Sequence, residues 1–266
     1  MNQATTPTTT APAVSQRLQA PFQASANART RIKICGLTRE EDVDAAVAAG
    51  ADAVGFVLYA PSPRSVTPQR AAQLARRLPP FVTPVLLFVN ESTPNVIAAS
   101  AMIAGATVQF HGDETPQDCM AATHQGARPY LRAARSPLGD GAAQFDLVLY
   151  AHDYSHAQAI LLDAHVEGFG GSGKAFNWSL LPPSVSSHLV LSGGLTPENV
   201  TDGILQVRQR GLSLAVDVSS GVEADGPDGK PVKGIKDALK IQRFVAAVRA
   251  ADAQLAKNPH EFLSAT

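Results

Sequence analysis

From Arg31 onward, apolar runs of strand length alternate with amphipathic stretches of helix length, with no composition break to mark a linker. The predicted strands are Ile32 to Cys35, Ala53 to Val57, Val82 to Val89, Thr107 to Phe110, Ala127 to Arg132, Ala159 to Asp163, His188 to Leu191 and Leu214 to Val218. Helical patterns fill the gaps. In Glu40 to Ala49 an apolar stripe of Val43, Ala46 and Val47 is stopped by Gly50, and Gly105 ends Pro94 to Ala104 in the same way. Pro116 to Gln125, Pro197 to Gln209 and Ile235 to Ala250 follow, the second of these opened by Thr196 as cap and Pro197 at its first position. The stretch from Gly139 to Ala157 is the weakest in pattern. Repeated β/α rounds in one compact body predict the α/β class and a single-domain (β/α)8 TIM barrel. An open doubly wound sheet is the rival, but it usually carries a dinucleotide fingerprint after its first strand, and Cys35-Gly36-Leu37-Thr38 is not one.

Residues 1–30 fall outside the alternation. They are rich in Ala, Thr, Pro and Gln and have too little apolar periodicity to offset ordering entropy, so they are expected to be disordered. The expected organisation is a tail at 1–30, the barrel at 31–255 and a short C-terminal tail at 256–266. With 266 residues, 45% of them hydrophobic, the chain can bury a full core. Its net charge of −1, with Lys and Arg scattered, argues against nucleic acid as a partner and requires any anion to be gripped locally. Cys35 and Cys119 are the only cysteines and lack metal or redox spacing, which fits a reducing cytoplasm and no resident metal. No apolar run approaches the roughly 18 residues of a membrane helix, and no signal-peptide block opens the chain. A cytoplasmic protein with no membrane partner is expected, as a monomer or weak homodimer.

In a parallel barrel the residues just after each strand converge on one face, so their chemistry can be read as a set. Cys35 closes the first strand. By residue type alone a free cysteine is usually an inert small hydrophobe, yet this one sits where barrels place reactive groups. After the second strand, Arg64 is the only charge in Tyr59 to Val66; it can grip a carboxylate or phosphate by two parallel hydrogen bonds, or simply face solvent. After the fourth comes His111-Gly112-Asp113-Glu114, where Asp113 can cap the next helix with Glu114 in its first turn. Asp163 ends the sixth strand, as a general acid or as a loop-anchoring acceptor, and the glycines Gly170, Gly171 and Gly173 beyond it suit close approach to a ligand. Strands seven and eight end in Ser192-Gly193-Gly194 and Ser219-Ser220-Gly221. Paired small-residue turns in those rounds are where many barrels hold phosphate, which makes a phosphorylated small molecule the expected substrate; two tight turns needing positive φ remain the other reading.

Taken in order, Lys33-Ile34-Cys35-Gly36-Leu37-Thr38, Ala49-Gly50-Ala51-Asp52-Ala53-Val54-Gly55-Phe56-Val57, Ser62-Pro63-Arg64-Ser65-Val66, Gln109-Phe110-His111-Gly112-Asp113-Glu114, Leu161-Leu162-Asp163, Gly170-Gly171-Ser172-Gly173, Leu191-Ser192-Gly193-Gly194-Leu195 and Val216-Asp217-Val218-Ser219-Ser220-Gly221-Val222-Glu223 resemble the phosphoribosylanthranilate isomerases of tryptophan biosynthesis. The resemblance runs from about Arg31 to Ala250 and touches nearly every round of the barrel. It implies an Amadori rearrangement with Cys35 as general base and Asp163 as general acid, and neither metal nor organic cofactor. It further implies Arg64 on the anthranilate carboxylate, phosphate on the backbone of Gly193, Gly194, Ser220 and Gly221, and the loop with Gly170, Gly171 and Gly173 beside it. Two positions depart from the family pattern: Asn177 where an aspartate is usual, and Lys233 where proline usually precedes the glycine. Two other functions stay open. One is another sugar-phosphate isomerase of the same barrel type, against which Cys35 argues; the other is a non-catalytic barrel that binds phosphorylated metabolites. His152 and His156 read as an exposed polar pair, Cys119 as packing and Lys174 as a solvated loop residue.

Overall fold

The computed structural model describes residues 29–137, 145–165 and 181–257. The expected disordered tail up to residue 28, the loop with Gly170, Gly171 and Gly173, Lys174, Asn177 and residues 258–266 lie outside the described residues. Eight parallel strands, β1 (Arg31–Cys35), β2 (Ala53–Val57), β3 (Thr83–Phe88), β4 (Thr107–Phe110), β5 (Tyr130–Pro137), β6 (Ala159–His165), β7 (Leu189–Ser192) and β8 (Leu214–Val218), close into a barrel in sequence order. Helices α1 (Glu40–Ala49), α2 (Pro68–Ala75), α3 (Thr93–Ala101), α4 (Pro116–Ala122), α5 (Leu147–Asp153), α6 (Val200–Val207) and α7 (Ala238–Lys257) accompany it. The expected (β/α)8 architecture is therefore present. At the closing seam Lys33 stands in register with Asp217, and Ile34 with Val218.

Side chains alternate across each strand, and the two faces carry different chemistry. Ile32, Ile34, Val54, Phe56, Leu86, Phe88, Val108 and Phe110 point outward into one continuous core with the helices. Inside the barrel, Ala133, Ala159, Leu161 and Val190 fill the lower part, while Cys35, Val57 and Leu87 cluster nearer the C-terminal rim. Many of these inward residues are small, and that leaves volume for polar groups.

Several element boundaries differ from the sequence expectation: β6 runs on past Asp163 to His165, α3 ends at Ala101 before Gly105, and α4 ends at Ala122; four further differences have a readable local reason. β5 begins at Tyr130, not Ala127, because His124, Gln125 and Gly126 all adopt positive φ and turn the chain first. Residues Pro231 to Lys236 form strand β10, antiparallel to β9 (Glu223–Asp225), so the last helix does not start at Ile235. It starts where Asp237 Oδ1 accepts the N–H groups of Leu239 and Lys240. Thr196 and Pro197 lie in a turn, and α6 runs only from Val200 to Val207, with Asn199 at its N-cap position. Finally α4 is capped by Thr115 in a reciprocal box with Asp118, not by Asp113. Glu114 is instead buried, accepting the N–H groups of Asn90 and Gly112 and pairing with Arg132, whose guanidinium lies 4.9 Å from the Tyr154 ring.

Opposite the rim, the chain entering β1 is clamped. Thr30 is fully buried, its N–H and hydroxyl donate to Asp252, and Asp252 Oδ1 pairs at 2.6 Å with Arg208, a guanidinium only 1% exposed. Burial draws the Arg208 pKa below its ordinary value and Asp252 opposes that pull. Removing the carboxylate strands a buried cation. Asp252→Ala is expected to cost about 3–5 kcal/mol in urea unfolding, the scale for breaking a buried pair from one side. A loss below about 1 kcal/mol, the size of a surface pair, would show that water reaches Arg208.

Candidate active site

Reading the rim in strand order, β6 carries Asp163, β7 and β8 carry the two glycine turns, β1 carries Cys35, and Arg64 follows β2. All five features predicted from sequence thus fall on one arc of the C-terminal face.

Cys35 ends β1 with only 4% of its surface exposed. It fits because its neighbour on β2 is Gly55: a Cβ there would stand 2.6 Å from Cys35 Sγ and 3.1 Å from Lys33 Cε. Two residues before the thiol, on the same strand face, Lys33 donates to Asp217 Oδ1 at 2.8 Å, both side chains being buried. Asp217 Oδ2 in turn accepts from Ser192 Oγ at 3.1 Å. Burial pushes the Cys35 thiol above its ordinary pKa; Lys33 and Lys236 pull it down and Asp217 adds to the rise.

Arg64 is not a free surface cation. Its Nε and Nη2 donate to the two carboxylate oxygens of Glu223 at 2.6 and 2.9 Å, which leaves Nη1 for another partner. Glu223 has no exposed side-chain surface and also receives the Gly234 N–H at 2.8 Å and Lys236 Nζ at 3.4 Å. Burial alone would raise the Glu223 carboxyl, but Arg64, Lys236 and the Gly234 N–H together hold it below the usual carboxylate range. The same hairpin is tied to the loop after β1, where Thr38 donates to Gly234 O at 2.7 Å. Gly234 is therefore held by hydrogen bonds without the proline usual before it. Gly36 allows Arg64 to cross β1: a Cβ there would meet Arg64 Cδ at 2.7 Å.

On the far side of the arc, Asp163 Oδ2 meets His111 Nε2 at 3.0 Å, and His111 Nδ1 meets the amide nitrogen of Gln109 at 3.0 Å. With the Gln109 amide donating to Nδ1, the imidazole carries its proton on Nε2 and donates to the carboxylate. Asp163 Oδ1 has no partner among the described residues. Between acid and thiol lie the turns. Gly193 and Gly194 adopt φ of 77° and 66°, and residues Ser220–Val222 form one short 3-10 turn. The two turns touch, since a Cβ on Gly221 would overlap Leu195 O at 2.0 Å. Among the described residues, the backbone N–H groups of Gly193, Gly194, Ser220 and Gly221 have no acceptor, and the two turns that carry them are in contact.

Sequence reasoning passed over Lys33 and Asp217, although their spacing of two from Cys35 and Ala215 puts them on the inward face. It also passed over Gln109, Glu223 and Lys236, whose roles depend on contacts between strands. His152 lies in α5 but His156 falls beyond its end, so the pair shares no helix face; among the described residues no group of three metal-ligating side chains occurs. Cys119 is fully buried, and burial pushes its thiol up to about 12, in keeping with a packing role. No helix among the described residues is long and apolar enough to cross a membrane.

Residues 32–247 match the family model described as N-(5'phosphoribosyl)anthranilate (PRA) isomerase. The N-(5'-phosphoribosyl)anthranilate isomerase of Methylibium petroleiphilum is 60% identical over 228 residues, covering 86% of this chain and 98% of its own. That of Leptothrix cholodnii is 59% identical over 227 residues, covering 85% and 94%. Among solved structures, the phosphoribosyl anthranilate isomerase of Thermotoga maritima superposes with a TM-score of 0.70 at 38% identity over 83% of this chain and 99% of that one. A phosphoribosyl anthranilate isomerase in complex with reduced 1-(o-carboxyphenylamino)-1-deoxyribulose 5-phosphate superposes with a TM-score of 0.67 at 35% identity, again over 83% and 99%.

The packing of Gly55 against the thiol generates a direct test. Gly55→Ala forces a methyl group against Cys35 Sγ and the Cys35 backbone, and is expected to lower stability by about 1–3 kcal/mol, the usual cost of overpacking. An unchanged urea midpoint would mean that the interior has slack at this level.

Proposed function

The chain belongs to the N-(5'-phosphoribosyl)anthranilate isomerase family and is an isomerase of tryptophan biosynthesis, and from that premise we propose that Cys35 and Asp163 are its base and acid in an Amadori rearrangement. The observation that carries the proposal is the order of groups on the rim: acid, two turns rich in unpaired N–H groups, thiol, arginine. A substrate with phosphate at one end and carboxylate at the other, lying across that arc, has its sugar between Asp163 and Cys35.

The substrate is N-(5-phosphoribosyl)anthranilate and the product 1-(2-carboxyphenylamino)-1-deoxyribulose 5-phosphate. Asp163 protonates the furanose ring oxygen, the C1′–O bond breaks, and the nitrogen lone pair forms a C=N+ bond. The iminium acidifies the hydrogen on C2′, and Cys35 as thiolate removes it to give an enolamine. Tautomerisation moves a proton to C1′ and converts the C2′ hydroxyl to the ketone. Because the iminium is itself the electron sink, a base of modest strength suffices and the steps call for no metal or organic cofactor. His111 holds one Asp163 oxygen, which leaves Oδ1 for the ring oxygen. The four N–H groups at Gly193, Gly194, Ser220 and Gly221 bind the phosphate by fixed dipoles rather than by a basic patch. Arg64, oriented by Glu223, offers Nη1 to the anthranilate carboxylate. The loop carrying Gly170, Gly171 and Gly173 belongs beside this site in the proposal.

The partner is a phosphorylated small molecule, with no nucleic acid, and the compartment is the cytoplasm. The protein is a monomer or a weak homodimer.

Loss of anthranilate fluorescence as substrate is converted gives the assay. Purified protein should consume the substrate. Cys35→Ser and Asp163→Asn should each lower kcat by about two or more orders of magnitude, while binding of the reduced product analogue survives. Full activity in either variant would remove that residue from the reaction, and absence of conversion by the parent protein would remove the function.

A further inference from the structure

We infer that Lys33 is a positioning residue for the reaction, whose ammonium sets the ionisation of Cys35, and that Asp217 restrains that effect by competing for the same charge. The inference rests on the reading of Cys35 as base, and concerns how a thiol so deeply enclosed becomes a thiolate.

Lys33 and Cys35 occupy successive inward positions of β1. Lys33 Cε and Cys35 Sγ both crowd the point where a side chain on Gly55 would begin, at 3.1 and 2.6 Å. Lys33 Cε therefore lies within about 6 Å of Cys35 Sγ, and the ammonium is one bond further along, near the range in which an opposite charge favours an ionised group. β2 and β3 present Gly55, Val57 and Leu87 to the thiol, and Val89 and the phenol of Tyr59 pack on the same cluster just past the ends of those strands. The charged groups facing it are Lys33 on its own strand, Asp217 on β8 and Lys236 on β10. Lys236 has other commitments: it donates to Ser219 O at 2.8 Å and lies 3.4 Å from Glu223, which also holds Arg64. Lys33 has one carboxylate partner, and that partner also accepts from Ser192. Although burial favours neutral Lys33, Asp217 and Cys35 hold its pKa above the ordinary lysine value, so it stays an ammonium. Positive charge placed beside the thiol offsets the burial that would otherwise keep it protonated.

A purely architectural ion pair predicts no movement of the thiol titration, whereas a pair that tunes the thiol predicts shifts of opposite sign for its two members. Removing Lys33 leaves Cys35 with burial and the Asp217 charge, so its pKa rises. Removing the Asp217 charge frees the ammonium for the thiolate, so its pKa falls. The readout is the pH dependence of thiolate ultraviolet absorbance, with Cys35→Ser as blank, alongside the pH profile of kcat/KM. Lys33→Met is expected to shift the Cys35 titration up, and Asp217→Asn to shift it down, each by about one pH unit or more. Because Lys33→Met strands a buried carboxylate and can unfold the protein, Lys33→Met combined with Asp217→Asn serves as a second variant with a neutral interior. It should fold, and its thiol should still titrate above that of the parent, since both charges are lost and the pull of Lys33 on the thiol outweighs the push of Asp217. Titrations that do not move, or that move the same way in both single variants, overturn the inference. The absorbance does not depend on turnover: if Cys35→Ser stays fully active while the shifts appear, the assignment of the base fails and the coupling stands.

Discussion

Lys33 and Asp217 meet inside the barrel at the seam where β8 closes on β1, in register and 2.8 Å apart. Taking both charges out of water is expensive, and a well-packed apolar pair of the same volume would commonly hold the seam as well or better. Several details compensate here. Asp217 receives a second hydrogen bond from Ser192, so that three consecutive strands, β7, β8 and β1, are joined by one side-chain network. The inward neighbours are small, with Gly55, Ala133, Ala159 and Ala215 leaving the volume that a long lysine stem needs. The reason to keep a charge there lies one pleat higher, where the thiol sits. An aliphatic interior would close the barrel but leave Lys236 as the one ammonium acting on Cys35 against its burial.

A second network, built on Glu223, does for the rim what Lys33 and Asp217 do for the interior. One buried carboxylate collects Arg64, Lys236 and the Gly234 N–H, and so ties the loop after β2 to the hairpin of β9 and β10. Asp42 in α1 extends it, accepting the Lys236 N–H at 3.2 Å while paired with Arg39. Arg64 is thereby fixed before any ligand arrives, which matters because a guanidinium recognises a carboxylate through planar geometry that a mobile side chain must give up entropy to reach. The substitution of Lys233 for the usual proline is tolerated for the same reason: hydrogen bonds on both sides of Gly234 replace the stiffness that proline would supply.

What the sequence disclosed, and what it withheld, follows from the range of each interaction. A strand with a continuous apolar run, such as Ala53 to Val57, is legible to the residue, because a buried parallel strand leaves an uninterrupted signal; Leu214 to Val218 is equally legible although Asp217 interrupts it. Cys35 and the paired glycine turns are legible because a strand's end is a local feature; Asp163 is legible as the carboxylate that breaks an apolar strand, although β6 runs on to His165. Lys33 and Asp217 read as ordinary strand residues, 184 positions apart, and nothing local marks them as a pair. The hairpin of β9 and β10 was taken for the start of a helix because Ile235 fits an amphipathic stripe; its strand character depends on burial of Lys236 against Glu223, a contact between elements. Asp113 reads as a helix cap by type, but Thr115, two residues further on, forms the reciprocal box with Asp118.

The two proposed proton carriers sit in unlike surroundings, and the difference matches their tasks. Asp163 and His111 are roughly a quarter exposed at the mouth, joined to a neutral amide, Gln109. Cys35 is almost wholly enclosed, packed on Val57 and Leu87 with Lys33, Asp217 and Lys236 acting on it from one side. A group that delivers a proton to a ring oxygen must regain it each cycle, which open contact with water makes easy. A thiolate that abstracts a proton from carbon gains from the reverse: with water excluded its charge is stabilised only by fixed ammonium groups, and little solvent must reorganise as the charge moves to substrate. Exchanging the environments would handicap both, leaving a hydrated thiolate at the mouth and an enclosed carboxyl that could recover its proton only through the substrate. The barrel separates them by putting the two turns of β7 and β8 between, and those turns are where the proposed phosphate anchor holds the sugar against both.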